Sequence, residues 1–378
     1  MGKVRLGDVA TYINGYAFKP EDWGEVGKLI IRIQDLTGNS YQTNRFDGDV
    51  PSKYIVIAGD VLISWSASLG VYVWSGEDAV LNQHIFKVVF DKVNVDKSFF
   101  IHQVGGILDK AASDTHGATM KHLTKPVFDN LPFYLPEIHE QRNISRLLDK
   151  TASLITERRQ QLTALDTLIK ARFVEMFGSF PANEKGWETG TIRDLVTDVR
   201  YGSSRKASEG NSGQYPYLRM NNITYDGELD LSDTKTIDIP DNELPKCTVL
   251  RGDVLFNRTN SKELVGKTCV YNRNEMMVLA GFIIRVRLNE RMLPEVLSAF
   301  LNTSFSKQML LGLCKAAIGQ ANINAQEMQN IGIYIPPIEL QKEFVDFKAQ
   351  VDKSKAVVQK GLDEAQMLFD SLMQQYFG

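Results

Sequence analysis

Short polar segments at corresponding positions in the two halves of the chain carry the residues best suited to chemistry. NGYAFK at residues 14–19 corresponds to RYGSSRK at 200–206, and SWSAS at 64–68 corresponds to NRTNS at 257–261. Arginine, lysine, asparagine, serine and threonine can contact phosphates and hydrogen-bond the edges of bases. The same residue types also suit ordinary surface loops, so composition alone leaves both interpretations open.

Catalytic and cofactor-binding patterns are missing from the sequence. No GxGxxG follows a predicted strand, and GKT at 266–268 has Ser261 where a phosphate-binding loop requires glycine. IPPI at 335–338 lacks the amide and the aromatic residue of an amino-methyltransferase motif, and the five histidines have no metal-ligand spacing. The sequence therefore predicts a protein without an active site, a metal or a cofactor of its own.

The bulk composition limits the class of protein. A net charge of −3 argues against a chain that holds nucleic acid alone through its overall charge, so any basic surface must be local. No apolar run reaches the length of about 18 residues that a membrane-spanning helix needs. The three cysteines are few and odd in number, which is typical of reduced thiols in a cytoplasmic protein. We therefore expect a cytoplasmic location.

An internal repeat organises the chain. LPEIHEQRNISRLLDK begins at residue 135 and IPPIELQKEFVDFKAQ at residue 335, so that Gln141 matches Gln341 at an offset of 200 residues. Nearer the N-terminus the offset drifts, as loops of different length require, and Arg32 aligns with Arg219. The sequence therefore predicts a tandem duplication of a domain followed by a helix.

One triplet illustrates the value of the repeat. Arg251-Gly252-Asp253 has the letters of an adhesion motif, but its counterpart in the first half is Ala58-Gly59-Asp60. The shared glycine and aspartate favour a turn before a strand.

Two heptad patterns predict two helices of about 40 residues that form a coiled coil. The core rows are Ile144, Leu148, Ile155, Leu162, Ile169 and Met176 in the first copy, and Phe344, Val351, Val358, Ala365 and Leu372 in the second. Neighbouring rows, Leu147, Leu154 and Leu168 and then Phe347, Leu362, Phe369 and Tyr376, are predicted to widen each seam. A helix of this size is about 60 Å long, whereas the linker at 179–187 can span only about 30 Å. The helices should therefore run antiparallel, with one domain at each end.

The domains between the helices are predicted to be mixed. Short β-rich runs such as KLIIRIQDL and GFIIRVRL alternate with helical segments, which indicates an α+β fold with small twisted sheets. The predicted limits are a first domain at 1–135, a central helix at 136–178, a linker at 179–187, a second domain at 188–335 and a C-terminal helix at 336–378. A pseudo-twofold axis should relate the two halves.

The whole chain resembles the specificity subunit of type I restriction–modification systems. The resemblance rests on the two helix starts, LPEIHEQRNISRLLDKTASLI and IPPIELQKEFVDFKAQVDKS, and on GDVLISWSASLG and GDVLFNRTNS. It implies two target-recognition domains that each read one half of a split DNA site, and paired helices that act as a ruler and a docking surface. It also implies two methyltransferase subunits and two motor–nuclease subunits as partners, with S-adenosylmethionine, ATP and Mg²⁺ bound by those partners.

The predicted DNA contacts lie in these polar segments, at and beside the aligned arginines, and in a third pair of segments that precede the long helices, TMKHLT at 119–124 and GQANIN at 319–324. They are Tyr16, Lys19, Arg32, Gln34, Ser64, Trp65, Ser66, Lys121, His122, Arg200, Ser203, Ser204, Arg205, Lys206, Arg219, Asn221, Asn257, Arg258, Asn260, Gln320 and Asn322. Trp65 stands where the second half has Arg258, so the two half-sites should differ and the target should be asymmetric. Three alternatives stay open: a specificity subunit of a type II-like system, a coiled-coil adaptor that does not bind DNA, and a self-contained enzyme.

Overall fold

The computed structural model describes residues 2–39, 42–113, 124–317 and 320–378, which fall into two compact units. The first unit comprises Met1–Arg159 together with Lys360–Gly378, and the second comprises Gln160–Gln359. Two long helices each contribute one part to either unit. The three cysteines are free thiols, and no described helix is long and apolar enough to cross a membrane.

Short strands dominate the first unit. Its strands are β1 (Lys3–Arg5), β2 (Thr11–Asn14), β3 (Lys28–Ile31), β4 (Arg45–Phe46), β5 (Ile55–Val56), β6 (Val61–Ser64), β7 (Gly70–Val73), β8 (Ala79–Leu81), β9 (Ile85–Val89) and β10 (Pro132–Tyr134). Its helices are α1 (Ile33–Leu36), α2 (Lys97–Ser113), α3 (Lys125–Asp129) and the first part of α4 (Ile138–Phe177).

The second unit has the same mixed character. Its strands are β11 (Glu188–Thr191), β12 (Val196–Tyr201), β13 (Tyr215–Leu218), β14 (Lys235–Ile237), β15 (Thr248–Val249), β16 (Val254–Asn257), β17 (Thr259–Asn260), β18 (Thr268–Val270), β19 (Met277–Leu279), β20 (Ile283–Leu288), β21 (Lys315–Ala317), β22 (Gln320–Asn322) and β23 (Gly332–Ile335). Its helices are α5 (Leu244–Cys247), α6 (Pro294–Leu301), α7 (Ser304–Leu313), α8 (Ala325–Gln329) and the first part of α9 (Ile338–Phe377).

Sheet topology confirms the tandem duplication. In the first unit one sheet has the order β2-β9-β6-β7 and is antiparallel throughout, and a second has the order β4-β3-β8-β5 with one parallel pair. The second unit repeats both orders as β12-β20-β16-β18 and β14-β13-β19-β15, again with one parallel pair. The pairs β1-β10 and β11-β23 also correspond. The predicted α+β class with two sheet-containing domains is therefore correct.

The Gly-Asp turns confirm the interpretation of the adhesion-like triplet. Gly59 and Gly252 have φ values of +94° and +92°, a region that favours glycine. The carboxylate of Asp60 accepts a hydrogen bond from the backbone N–H of Ile57 at 2.9 Å, and that of Asp253 does so from Leu250 at 2.8 Å. Each turn delivers the chain into a buried strand, β6 or β16.

The long helices α4 and α9 are each 40 residues long and run antiparallel within each unit. In the second unit Phe173 packs against Phe344, with ring centroids 5.4 Å apart, and Asp166 forms an ion pair with Lys355 at 2.6 Å. The residue number therefore falls from 173 to 166 along α4 while the number of the contacting residue on α9 rises from 344 to 355. The two helices run in opposite directions. In the first unit Leu148 belongs to the same hydrophobic cluster as Leu372.

One part of the heptad interpretation is wrong. Leu147, Leu154 and Leu168 were expected to widen the seam, but their exposed fractions are 39%, 40% and 46%. These residues precede the core row by one position, which turns them about 100° around the helix axis and away from the partner helix. Thr151 lies in the seam instead and is buried.

The repeated glutamines explain why the two helix starts share a sequence. Gln341 is fully buried, accepts a hydrogen bond from the Leu293 N–H at 2.8 Å, and donates to the carbonyls of Arg291 and Pro336. Gln141 accepts from the Asp96 N–H at 2.9 Å and donates to the Pro136 carbonyl. Each glutamine thus ties the first turn of a long helix to the segment that precedes a domain helix.

Replacing Gln341 with alanine should lower the free energy of unfolding by about 2–3 kcal/mol, because three buried backbone groups lose their partner. Urea unfolding followed by circular dichroism measures the change. Gln350→Ala is the matched control, since Gln350 is exposed on the same helix and should cost less than about 0.5 kcal/mol. Equal losses in the two variants would contradict the tethering role of Gln341.

Candidate nucleic-acid interface

Each four-stranded antiparallel sheet brings three loops together at one end of its strands. In the first unit the last residue of β2, Asn14, lies opposite Phe86, and the last residue of β6, Ser64, lies opposite Ile85. The loops that follow β2 and β6 therefore meet the start of β9. We call Asn14, Trp65 and His84 the first loop edge.

The second unit builds the same edge from different residues. The last residue of β12, Tyr201, lies opposite Ile284, and the last residue of β16, Asn257, lies opposite Ile283. We call Tyr201, Arg258 and Phe282 the second loop edge.

Trp65 dominates the first loop edge. Its Nε1–H donates to Oδ1 of Asn14 at 3.2 Å, and its ring stacks on Phe86 with centroids 5.7 Å apart. The His84 ring meets the indole edge-on at 5.5 Å. Because the indole N–H already has an acceptor, Trp65 offers a ligand mainly an aromatic surface.

Arg258 dominates the second loop edge. Its guanidinium lies 4.8 Å from the centre of the Tyr201 ring. The Tyr201 hydroxyl accepts a hydrogen bond from the Ala325 N–H at 2.8 Å. Nearby, the Thr259 hydroxyl donates to Oδ1 of Asn322 at 3.1 Å, which joins β17 to β22. The structure therefore brings Arg258, Asn260 and Asn322 together, and their contact with DNA stays a prediction.

Two aromatic residues of this edge were missed by the sequence analysis. Tyr201 and Phe282 are 43% and 48% exposed, which is unusual for rings beside a buried strand. Tyr201 lies within the RYGSSRK segment, so its position next to the basic residues was a usable signal. Phe282 is hidden in an apolar run, GFIIRVRL, and the sequence gives no sign that its side chain points outward.

Four predicted contacts are buried and cannot meet a ligand in this structure. They are Ser64, Ser66, Ser203 and Asn257. The Asn257 amide donates to the carbonyls of Thr259 and Phe282, and the Ser203 hydroxyl accepts from the Arg205 N–H. These short polar side chains satisfy loop backbone groups, which is why they lie inside the loops. For them the prediction of direct contact is corrected to a supporting role.

Three predicted basic contacts already have acidic partners. Arg205 binds both carboxylate oxygens of Glu243, at 3.1 and 2.6 Å, and this hydrogen bonding lowers the pKa of Glu243. Arg200 pairs with Asp198 at 2.9 Å, and Arg219 pairs with Asp233 at 2.8 Å. Lys206 is exposed and pairs with no acidic group in the described part of the chain. The basic segment therefore offers less free charge than its sequence implies.

Arg32 is similarly occupied. It stacks on Trp23 at 5.1 Å, lies 3.8 Å from Asp35, and donates to the Gln42 carbonyl. It corresponds to Arg219, and both residues precede a helical turn whose third residue, through its side-chain oxygen, accepts a hydrogen bond from the arginine backbone N–H. These two arginines stabilise their own loops.

The remaining predicted contacts are scattered over both units. Tyr16 is half-buried against Phe18 and Tyr54, Lys19 is exposed beside Glu21, and Ser204 and Asn221 are exposed. Gln34 is half-buried on α1, and Gln320 begins β22. Lys121 and His122 lie outside the described residues. No group of three or more potential metal ligands occurs among the described side chains.

Solved structures share this fold. The S subunit of a type I restriction–modification system from M. genitalium aligns with a TM-score of 0.55 and 12% identity, covering 100% of this chain and 96% of its own. A chain from a structure on complex assembly and conformational transition of the type I R-M system gives a TM-score of 0.56 and 16% identity, covering 100% and 97%. The chain therefore shares its overall fold with both of these structures.

Sequence comparison identifies the family. The model of the type I restriction modification DNA specificity domain matches residues 1–164 and 184–365, and the chain belongs to this family. It is 22% identical to the type I restriction enzyme EcoBI specificity subunit of Escherichia coli over 404 residues, covering 98% of this chain and 83% of that protein. It is also 22% identical to the MjaVIII specificity subunit of Methanocaldococcus jannaschii over 401 residues, covering 98% and 90%.

Proposed function

We propose that this chain reads a split, asymmetric target in double-stranded DNA for a type I restriction–modification complex. The observation that carries the proposal is the pair of loop edges. Both units present the same sheet edge, but Trp65 stands in one where Arg258 stands in the other. A shared scaffold with different side chains at its loops suits two half-sites of different sequence.

The chain itself has no catalytic part in this proposal. Methyl transfer to adenine and DNA cleavage belong to two methyltransferase and two motor–nuclease subunits, which bind S-adenosylmethionine, ATP and Mg²⁺. These subunits also add phosphate contacts, which offsets the net charge of −3 on this chain.

The long helices are the proposed docking surface for those subunits. Leu147, Leu154 and Leu168 on α4 expose large apolar side chains, and so do Met367 and Leu368 on α9. Leu147 and Leu154 are one heptad apart and therefore lie on one face of the helix. An exposed apolar row on an otherwise charged helix favours contact with another protein.

The test combines the purified chain with DNA and S-adenosylmethionine, with and without the methyltransferase subunit of the same system. The chain alone should transfer no methyl group, because the sequence carries no cofactor motif. One copy with two methyltransferase subunits should methylate adenine within a two-part motif whose halves differ. Methyl transfer by the isolated chain, or assembly with the partners and no sequence preference, would overturn the proposal. The second result would favour a coiled-coil adaptor.

A further inference from the structure

The backbone around Arg258 is held in place on both sides. Its N–H donates to the Phe282 carbonyl at 2.9 Å, and its carbonyl accepts from the Ile323 N–H at 2.9 Å. The preceding residue, Asn257, is fully buried and holds the carbonyls of Thr259 and Phe282. The start of this side chain is therefore positioned before any ligand arrives.

The guanidinium is oriented but unpaired. Tyr201, fixed by its hydrogen bond from Ala325, supplies the ring on which the Arg258 side chain stacks. The Arg258 side chain forms no hydrogen bond or ion pair with any residue that the structure describes, and its buried Nε has no acceptor. Arg205, in contrast, is neutralised by Glu243. An arginine that stacks on a ring and pairs with no carboxylate keeps its guanidinium N–H donors available. These donors lie in one plane and can bind two acceptors in that plane.

A comparison with the first unit indicates whether these acceptors belong to phosphates or to bases. Phosphates are the same in every half-site, so a phosphate contact at this position should keep a cation in both copies. The first unit instead has Trp65, whose N–H is bonded to Asn14. A position that changes from cation to aromatic ring between two copies of one scaffold is suited to reading bases, which differ between the half-sites.

We propose that Arg258 determines specificity by reading a guanine in the half-site bound by the second unit. This inference rests on the proposed function. In the major groove guanine presents O6 and N7 side by side, and an arginine fork donates to both. Tyr201 would act as a positioning residue that holds the plane of the Arg258 guanidinium. The exposed Phe282 ring belongs to the residue whose carbonyl anchors the Arg258 backbone.

The first experiment sequences the methylated adenines in cells that carry the chain with its methyltransferase subunit. The wild-type motif should contain a G·C pair that becomes degenerate in Arg258→Ala, while the other half-site and the spacer stay unchanged. Arg251→Ala is the matched control, because Arg251 precedes β16, has one hydrogen bond to Asn274, and carries the same charge. Its motif should equal that of the wild type.

The second experiment leaves the protein unaltered. Each guanine of the motif is replaced in turn by 7-deazaguanine, which lacks the N7 acceptor, and binding of the wild-type complex to the duplex is measured. At one position affinity should fall by about tenfold, and the Arg258→Ala complex should not respond there.

Three results have separate meanings. An unchanged motif in Arg258→Ala, with no sensitive guanine, overturns the inference. Uniform weakening at all positions with a smaller salt dependence also overturns it, because Arg258 would then hold phosphate. Absence of any motif in the wild type refutes the proposed function itself.

Discussion

Replacing Asp198 with alanine should destabilise the second unit by about 3–5 kcal/mol, because it leaves a buried arginine without its counter-charge. Asp198 lies on β12, where one carboxylate oxygen accepts from Arg285 at 2.6 Å and the other from Arg200 at 2.9 Å. The Arg285 side chain is only 3% exposed, and its second contact is the Thr248 carbonyl. Because β12 ends at Tyr201, the same variant should also loosen the Tyr201–Arg258 stack.

The stability that Asp198 gives to the second unit should depend on pH. Burial alone would raise the pKa of Asp198, but the hydrogen bonds and charges of Arg285 and then Arg200 outweigh it and lower the pKa below its usual value. Folding therefore disfavours the protonated carboxyl. The stabilisation is fully present above the unfolded-state pKa of about 4 and is lost as the pH falls through the lower folded-state value. Urea unfolding at pH 7, 5 and 3.5 should show the difference between wild type and Asp198→Asn shrinking only at the lowest pH.

Asp233 provides the matched control for Asp198. It forms ion pairs with Arg219 at 2.8 Å and Lys235 at 3.2 Å, but it is exposed. Asp233→Ala should therefore cost less than about 1 kcal/mol. If the Asp198 and Asp233 variants lost the same stability, the burial of Arg285 would not be the source of the effect.

Repetition made most of the fold predictable from the sequence. Gln141 and Gln341 make equivalent hydrogen bonds because each lies next to a backbone N–H that precedes a domain helix and needs an acceptor, that of Asp96 or Leu293. Asp60 and Asp253 close equivalent turns. When two copies keep one residue in register while their loops diverge, a shared structural requirement is the simplest cause. The exposed Leu147 row was misjudged because an apolar residue beside a seam looks the same in sequence as one within it.

The candidate site was less predictable, since residue type does not report burial or partners. Ser64 and Asn257 have the same chemistry as exposed loop residues, yet both lie under their loops. Arg205 looked like a free cation because Glu243 is 38 residues away in sequence. The sequence repeat predicts the position of Arg258, but the availability of its guanidinium follows from a stacking contact with Tyr201. Pairing of the strands β12, β20 and β16 brings this contact about.

Lengthening both long helices by one heptad should lengthen the spacer between the half-sites. Insertions after Leu162 and after Leu362 keep the core rows in phase, because each adds a whole repeat. Each insertion adds about 10 Å at 1.5 Å per residue. At about 3.4 Å per base pair, this corresponds to roughly three extra base pairs. Both half-site sequences should stay the same, since no residue of either loop edge changes.

Methylome sequencing of this double-insertion variant measures the spacer directly. Overall methylation should fall, because three base pairs rotate the second half-site by almost a third of a helical turn of about 10.5 base pairs. The matched control inserts seven glycine and serine residues after Lys185, in the linker at 179–187, where they add chain length without altering either helix. That control should keep the original spacer. A helix-insertion variant that methylates sites with the original spacer would show that the helices do not set the distance, because the added turns would then have no effect on where the second half-site is read.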